Sequence, residues 1–201
     1  MEFLEVFRKR AFWGLDFLKG SPVRKHYNEV KFIMENFNSN KANTLRSNHL
    51  KNILKHAKET TPYYNKLNLG YDLNDFPIID KGVVRENYEA FKSELFLNSK
   101  NTPVVTSGST GTPFKLYHNA DKRARNTADI IYFAKRGGFE LGSRLIFMKV
   151  WNSINQKSPF KLWMENIKPY SIFNYTNKDI EKLLDDIKKD KSDKGIVCFA
   201  S

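Results

Sequence analysis

Residues 103–117, Pro103-Val-Val-Thr-Ser-Gly-Ser-Thr-Gly-Thr-Pro-Phe-Lys-Leu-Tyr117, govern how the rest of the chain is read. A short β-prone run, Pro103 to Thr106, enters a loop of small residues and leaves it through Phe114-Lys-Leu-Tyr117, which predicts strand, loop, strand. Within the loop, Gly108 and Gly111 permit backbone angles that turn successive amides inward, and Ser107, Ser109, Thr110 and Thr112 add hydroxyl donors. Such a bend suits a polyanion. Lys115 places a compact positive charge at the exit. Each charge-assisted contact contributes about 1.5–3 kcal/mol, so several together hold a triphosphate against water. The order of residues is not that of a Walker A loop, because Pro113 stands five residues after Gly108, where that pattern requires glycine, and a strand is expected next. Small-residue loops also serve as plain hairpin connections, and composition alone leaves both possibilities open.

On the N-terminal side of the loop the pattern is helical. Phe3, Phe7, Ala11, Leu15 and Leu18 fall at helical spacing opposite Arg8 and Lys9, predicting a face that packs onto the body of the protein in preference to a membrane. A second helix is expected over Tyr27 to Phe37, and a third over Leu45 to Glu59, with Leu50, Ile53, Leu54 and Ala57 as its stripe and Thr61-Pro62 as its stop. After a turn-rich Gly70 to Asn74, Asp80 is placed to cap a helix with Val83, Val84, Tyr88 and Phe91 on its buried side.

On the C-terminal side the texture becomes α/β. A helix over Ala120 to Arg136 should end at Gly137-Gly138 and be followed by an apolar strand, Arg144 to Trp151. Thr176 with Asp179 reads as a capping box that opens a helix through Lys188, with Ile180, Leu183, Leu184 and Ile187 on its apolar face. Gly195 to Ala200 reads as a buried strand. The fold class is therefore α/β, a mainly helical lead-in over residues 1–100 followed by mixed strands and helices over 101–201, within one domain or part of one.

Composition narrows the function classes. The 201 residues are 40% hydrophobic and 14% aromatic, enough for a packed core, and no apolar run approaches the roughly 20 residues that span a bilayer. Arg8, Lys9 and Arg10 interrupt anything resembling a signal peptide. The one cysteine, Cys198, has no local Cys or His at metal-ligand spacing, which points to a reduced, cytoplasmic setting with Cys198 in a buried strand. A net charge of +12 invites a nucleic-acid or anionic-membrane partner. Because the basic residues are scattered among acids and no nucleic-acid-binding motif accompanies them, a solvated surface is expected instead.

The order of residues in the loop adds more. Thr106-Ser-Gly-Ser-Thr-Gly-Thr-Pro113 resembles the signature phosphate loop of adenylate-forming enzymes, among them acyl- and aryl-coenzyme A ligases. With Phe114-Lys-Leu-Tyr117 after it, the loop is similar to the phenylacetate-coenzyme A ligase-like branch, including members associated with capsular polysaccharide biosynthesis. Leu50-Lys-Asn-Ile-Leu-Lys-His-Ala57 followed by Thr61-Pro-Tyr-Tyr64 resembles that branch's lead-in helix and Pro-Tyr-Tyr element, and Phe76-Pro-Ile-Ile-Asp-Lys81 its Leu-Pro-Ile-Leu-Thr-Lys segment. Gly138-Phe-Glu-Leu-Gly142 and Ile196 to Ser201 extend the likeness, which runs from about Ala42 to Ser201. Thr112 and Phe114 depart from it where many relatives carry lysine, and Ser143 where aspartate is common. For Tyr63, Tyr64, Pro77 and Lys81 packing or a capped helix end is expected, not catalysis.

The resemblance implies the N-terminal part of an adenylate-forming large domain. It also implies a reaction in which a small carboxylate attacks the α-phosphate of ATP with Mg2+ present, giving an acyl-adenylate and pyrophosphate, with coenzyme A as acyl acceptor. Thr106, Ser107, Gly108, Ser109, Thr110, Gly111 and Thr112 would hold the β- and γ-phosphates, and Lys115 would offset their charge. The family's adenine and ribose motifs, acidic metal ligand, hinge and C-terminal lysine would all lie beyond Ser201. The isolated chain is accordingly expected to show little or no ligase activity, and a separately encoded C-terminal portion is an implied partner. A non-catalytic scaffold keeping the half-fold, and a basic membrane-surface or nucleic-acid-binding protein, are the alternatives.

Overall fold

A computed structural model describes residues 3–105, 114–151, 156–174 and 176–199. In chain order its elements are α1 (Phe3–Leu18), α2 (Pro22–Glu35), α3 (Asn40–Thr60), α4 (Pro62–Asn65), α5 (Lys81–Glu86), β1 (Thr102–Val105), β2 (Lys115–His118), α6 (Ala120–Arg136), β3 (Arg144–Lys149), α7 (Pro159–Met164), β4 (Ile167–Ser171), α8 (Asn177–Lys189) and β5 (Lys194–Cys198). Short 3-10 turns sit at Leu73–Asp75 and Glu94–Phe96. The mixed α/β class expected from the sequence is observed. Two compact units form, Met1–Arg24 with Asp129–Ser201, and Lys25–Ala128.

Local chemistry sets the elements of the Lys25–Ala128 unit. Ser39 Oγ accepts from Ala42 N at 3.2 Å to start α3, and Thr61, extended ahead of Pro62, ends it. Leu54 of the α3 stripe is buried, but Leu50 and Ile53 are exposed, because α3 is covered along a narrower line than its apolar stripe. Tyr63 stacks on Phe91 at 4.0 Å and Tyr64 meets Phe91 edge-on at 5.6 Å, so the Pro-Tyr-Tyr element is a packing element, as expected. Asp80 Oδ1 accepts from Val83 N at 2.9 Å and caps α5, whose first residue is Lys81. That helix stops earlier than the sequence suggested, leaving Tyr88 and Phe91 beyond it. The Asn87 side-chain Nδ2 donates to Val83 O at 3.0 Å, a local bond that competes with continued helix.

The other unit is built on a parallel sheet of order β4-β3-β5. Central β3 pairs Leu145 with Ile167 on one side and with Gly195 on the other. Ile146, 2% exposed, is the centre of its core, with Tyr132, Ile167 and Leu183 also buried. Strand β4 was not expected, since Pro169 reads against a strand; an edge position tolerates it. The opposite edge corrects another expectation. With a strand neighbour on one side only among the described residues, β5 leaves Ile196, Val197 and Cys198 exposed, so Cys198 is not a buried strand residue. The Thr176–Asp179 capping box opens α8 as expected, Asp179 Oδ2 accepting from Thr176 N at 2.9 Å.

The α1 helix packs opposite to expectation. Its backbone comes so close to the turn before β3 that a Cβ at Gly142, where φ is +98°, would lie 2.3 Å from Glu5 O. Lys9 Nζ pairs with Glu140 at 2.7 Å, and Arg8 Nε donates to Trp163 O at 3.0 Å. Asp16 is buried, its carboxylate accepting from Val23 N and Arg24 N at 3.0 Å each. These contacts draw the polar side inward and leave Phe3, Phe7, Leu15 and Leu18, the predicted packing face, exposed. Among the described residues no helix is long and apolar enough to cross a membrane.

Candidate functional site

Strands β1 and β2 form an antiparallel hairpin in the register Thr102↔His118, Pro103↔Tyr117, Val104↔Leu116 and Val105↔Lys115. The two strands expected on either side of the loop are present and paired, with Val105 and Lys115 as the last pair of the register before residues 106–114. Thr106, Ser107, Gly108, Ser109, Thr110, Gly111 and Thr112 lie outside the described residues; Lys115, exposed, opens β2. A two-stranded hairpin has little stability of its own, so its anchors matter. Arg123 Nη1 donates to Thr102 Oγ1 at 3.1 Å, and Asn119 Oδ1 accepts from Lys122 N at 2.7 Å, starting α6 directly after β2.

Strand periodicity puts Lys115 and Tyr117 on one face of β2. Lys115 Nζ lies 5.2 Å from the centre of the Tyr117 ring, and Lys92 Nζ lies 5.9 Å from the same ring and 4.9 Å from that of Tyr88. Lys92 also pairs with Glu89 at 2.6 Å, which is the first cause of its raised pKa. The Tyr117 phenol is held below its ordinary value, first by its hydrogen bond with Lys115 and further by the charges of Lys115 and Lys92. Tyr88 is pushed up, first by burial and then by Tyr117. Two lysines thus meet one tyrosine of β2. Sequence reasoning identified Lys115 but not this setting: the i, i+2 spacing could have added Tyr117, whereas Lys92 comes from an irregular segment with no such signal.

The second unit offers two further places. A groove of about 600 Å³ between β4 and α8 is lined by Lys168, Tyr170, Ser171, Phe173, Asp179 and Asp186. There Tyr170 Oη donates to Asp186 at 2.5 Å and Lys168 Nζ pairs with it at 3.1 Å, so the central carboxylate is already engaged and its pKa is lowered, first by Tyr170. At the carboxyl end of β3, Lys149 Nζ sits 4.1 Å over Trp151. Burial first, and Lys157 second, pull its pKa below the ordinary 10.5. Carboxyl ends of parallel strands are where open α/β sheets take ligands, a placement the sequence alone did not flag. Among the described residues no group of three or more His, Cys, Asp or Glu side chains is arranged to hold a metal ion.

No family model, curated protein or solved structure matches the chain. The likeness to adenylate-forming enzymes therefore rests on the motifs quoted above.

Proposed function

We propose that this chain carries the phosphate-gripping part of an ATP-dependent, carboxylate-activating enzyme of the adenylate-forming kind, resembling the phenylacetate-coenzyme A ligases. The observation that supports this most is the hairpin register, in which Val105 pairs with Lys115, the residues that flank the glycine- and hydroxyl-rich segment in sequence. In the proposed reaction a carboxylate oxygen bonds to the α-phosphorus of ATP as the bond to the bridging oxygen breaks, and pyrophosphate departs with the electron pair. Negative charge grows on the departing group. Ser107, Ser109, Thr110 and Thr112 hydroxyls and the amides around Gly108 and Gly111 bind it, while the Lys115 ammonium offsets its charge. The sulfur of a thiol such as coenzyme A then bonds to the acyl carbon as the bond from that carbon to the phosphate oxygen breaks, so AMP leaves with the electron pair and the thiol proton is released. Bound Mg2+ would neutralise phosphate charge in this reaction, and among the described residues no group of three or more His, Cys, Asp or Glu side chains is arranged to hold it without the nucleotide.

Calorimetric titration with ATP tests the assignment. Gly111→Val should abolish binding with the circular dichroism spectrum unchanged, and Lys115→Ala should weaken it about tenfold. Wild-type binding in Gly111→Val, or no binding by the wild-type chain, overturns it. Little or no turnover is expected of the chain alone, since positioning groups beyond the phosphate loop carry much of the rate. Robust carboxylate-dependent pyrophosphate release by it would contradict that division of labour.

A further inference from the structure

The α1 helix is turned inside out relative to an ordinary surface helix. Its described acids, Glu5 and Asp16, are 1% and 5% exposed, whereas Phe3, Phe17 and Leu18 are 84%, 73% and 80% exposed. At about 100° per residue, Phe3, Phe7, Phe17 and Leu18 gather on one side, with Glu5, Lys9 and Asp16 opposite. The helix cannot roll to hide this stripe. Rolling would break the Lys9–Glu140 pair and the Arg8–Trp163 bond and would lose the close approach at Gly142.

The charges around the stripe indicate what covers it. Because Glu5 and Asp16 are buried, the exposed charges of α1 and the turn after it are Arg10 and Lys19, both positive, and exposed Arg24 in the first turn of α2 adds a third cation. Arg10 falls between Phe3 and Phe17 on the helical wheel, inside the stripe itself. Arg24 lies 4.0 Å over the Trp13 ring, and both line a hollow of about 480 Å³ with Val6, Lys9 and Arg10. A second copy docked two-fold on this face would set the same cations against each other, since such an interface brings one patch against itself. An anionic bilayer surface answers both features: acyl chains take the phenylalanines and leucines, and lipid phosphates meet the arginines and lysine, with tryptophan at the headgroup level.

The geometry points to α1 as an interfacial helix that seats the chain on an anionic lipid surface, with Phe3, Phe7, Phe17 and Leu18 in the acyl region and Arg10, Lys19 and Arg24 at the lipid phosphates. This is independent of the nucleotide assignment. Flotation of the full chain with vesicles tests it, comparing phosphatidylcholine alone with phosphatidylcholine partly replaced by phosphatidylglycerol. The chain should float with the anionic vesicles and bind neutral ones at least about tenfold more weakly. Phe7→Ser and Phe17→Ser should each lower binding about tenfold, and the pair Arg10→Gln with Lys19→Gln about tenfold on anionic vesicles only. Circular dichroism confirms the fold of each variant. No flotation, equal binding to both vesicle types, or variants that bind like wild type would overturn the inference. So would a concentration-dependent dimer in sedimentation equilibrium that Phe7→Ser and Phe17→Ser dissolve, which would give the face to a second copy.

Discussion

The parallel sheet and the antiparallel hairpin hold their residues in place by different means. β3 is flanked by strands on both sides and buries Ile146, whereas among the described residues β1 and β2 pair only with each other, and Val105, Leu116 and Tyr117 stay exposed. In the sheet, order comes from excluded water and close packing. At the hairpin it comes from a few directed contacts, Arg123 to Thr102 and the two lysines on Tyr117. Substitutions in the first region should therefore change stability, and those in the second should change binding with little effect on folding.

The largest expected loss is at the centre of the sheet, where Ile146→Ala should cost about 3 kcal/mol in urea unfolding. Gly142→Ala comes next, at about 2 kcal/mol, because the residue needs positive φ and its new Cβ would press on the α1 backbone. Removing the α8 cap with Thr176→Ala should cost about 1 kcal/mol. Glu140→Gln should cost about 0.5 kcal/mol at neutral pH, as expected for a half-exposed pair. Its pH dependence sharpens the test. Lys9 first, with Lys135, holds the Glu140 carboxyl below its ordinary 4.5, so the contribution is present above 4.5 and is lost as pH falls through the depressed folded value. Wild type and Glu140→Gln should then converge in acid. Smallest of all, Arg123→Ala at the foot of the hairpin should change stability by no more than about 0.5 kcal/mol. A loss at Arg123 equal to that at Ile146 would erase the contrast between the regions.

Features written in local chemistry were legible in the sequence. The Asp80 cap, the Thr176–Asp179 box, the stop at Thr61-Pro62 and the turn after α6, where Gly138 has φ +85°, all follow from a few neighbouring residues. The hairpin flanks were legible for the same reason. What failed depends on partners distant in sequence: the inward side of α1 is chosen by Glu140, Gly142 and Trp163, and the exposure of Cys198 by the edge position of β5. At the candidate site, Lys115 was legible within the motif, while Lys92 reaches Tyr117 from an irregular segment that periodicity cannot place.

Phosphorus NMR of ATP titrated with the chain bears most directly on the hairpin's role, because it distinguishes which part of the nucleotide is held. Gripping of the triphosphate tail predicts that the β- and γ-phosphorus signals broaden and shift more than the α signal, and that Gly111→Val restores all three to their free positions. Signals unaffected by the wild-type chain, or equally affected by wild type and Gly111→Val, would contradict it.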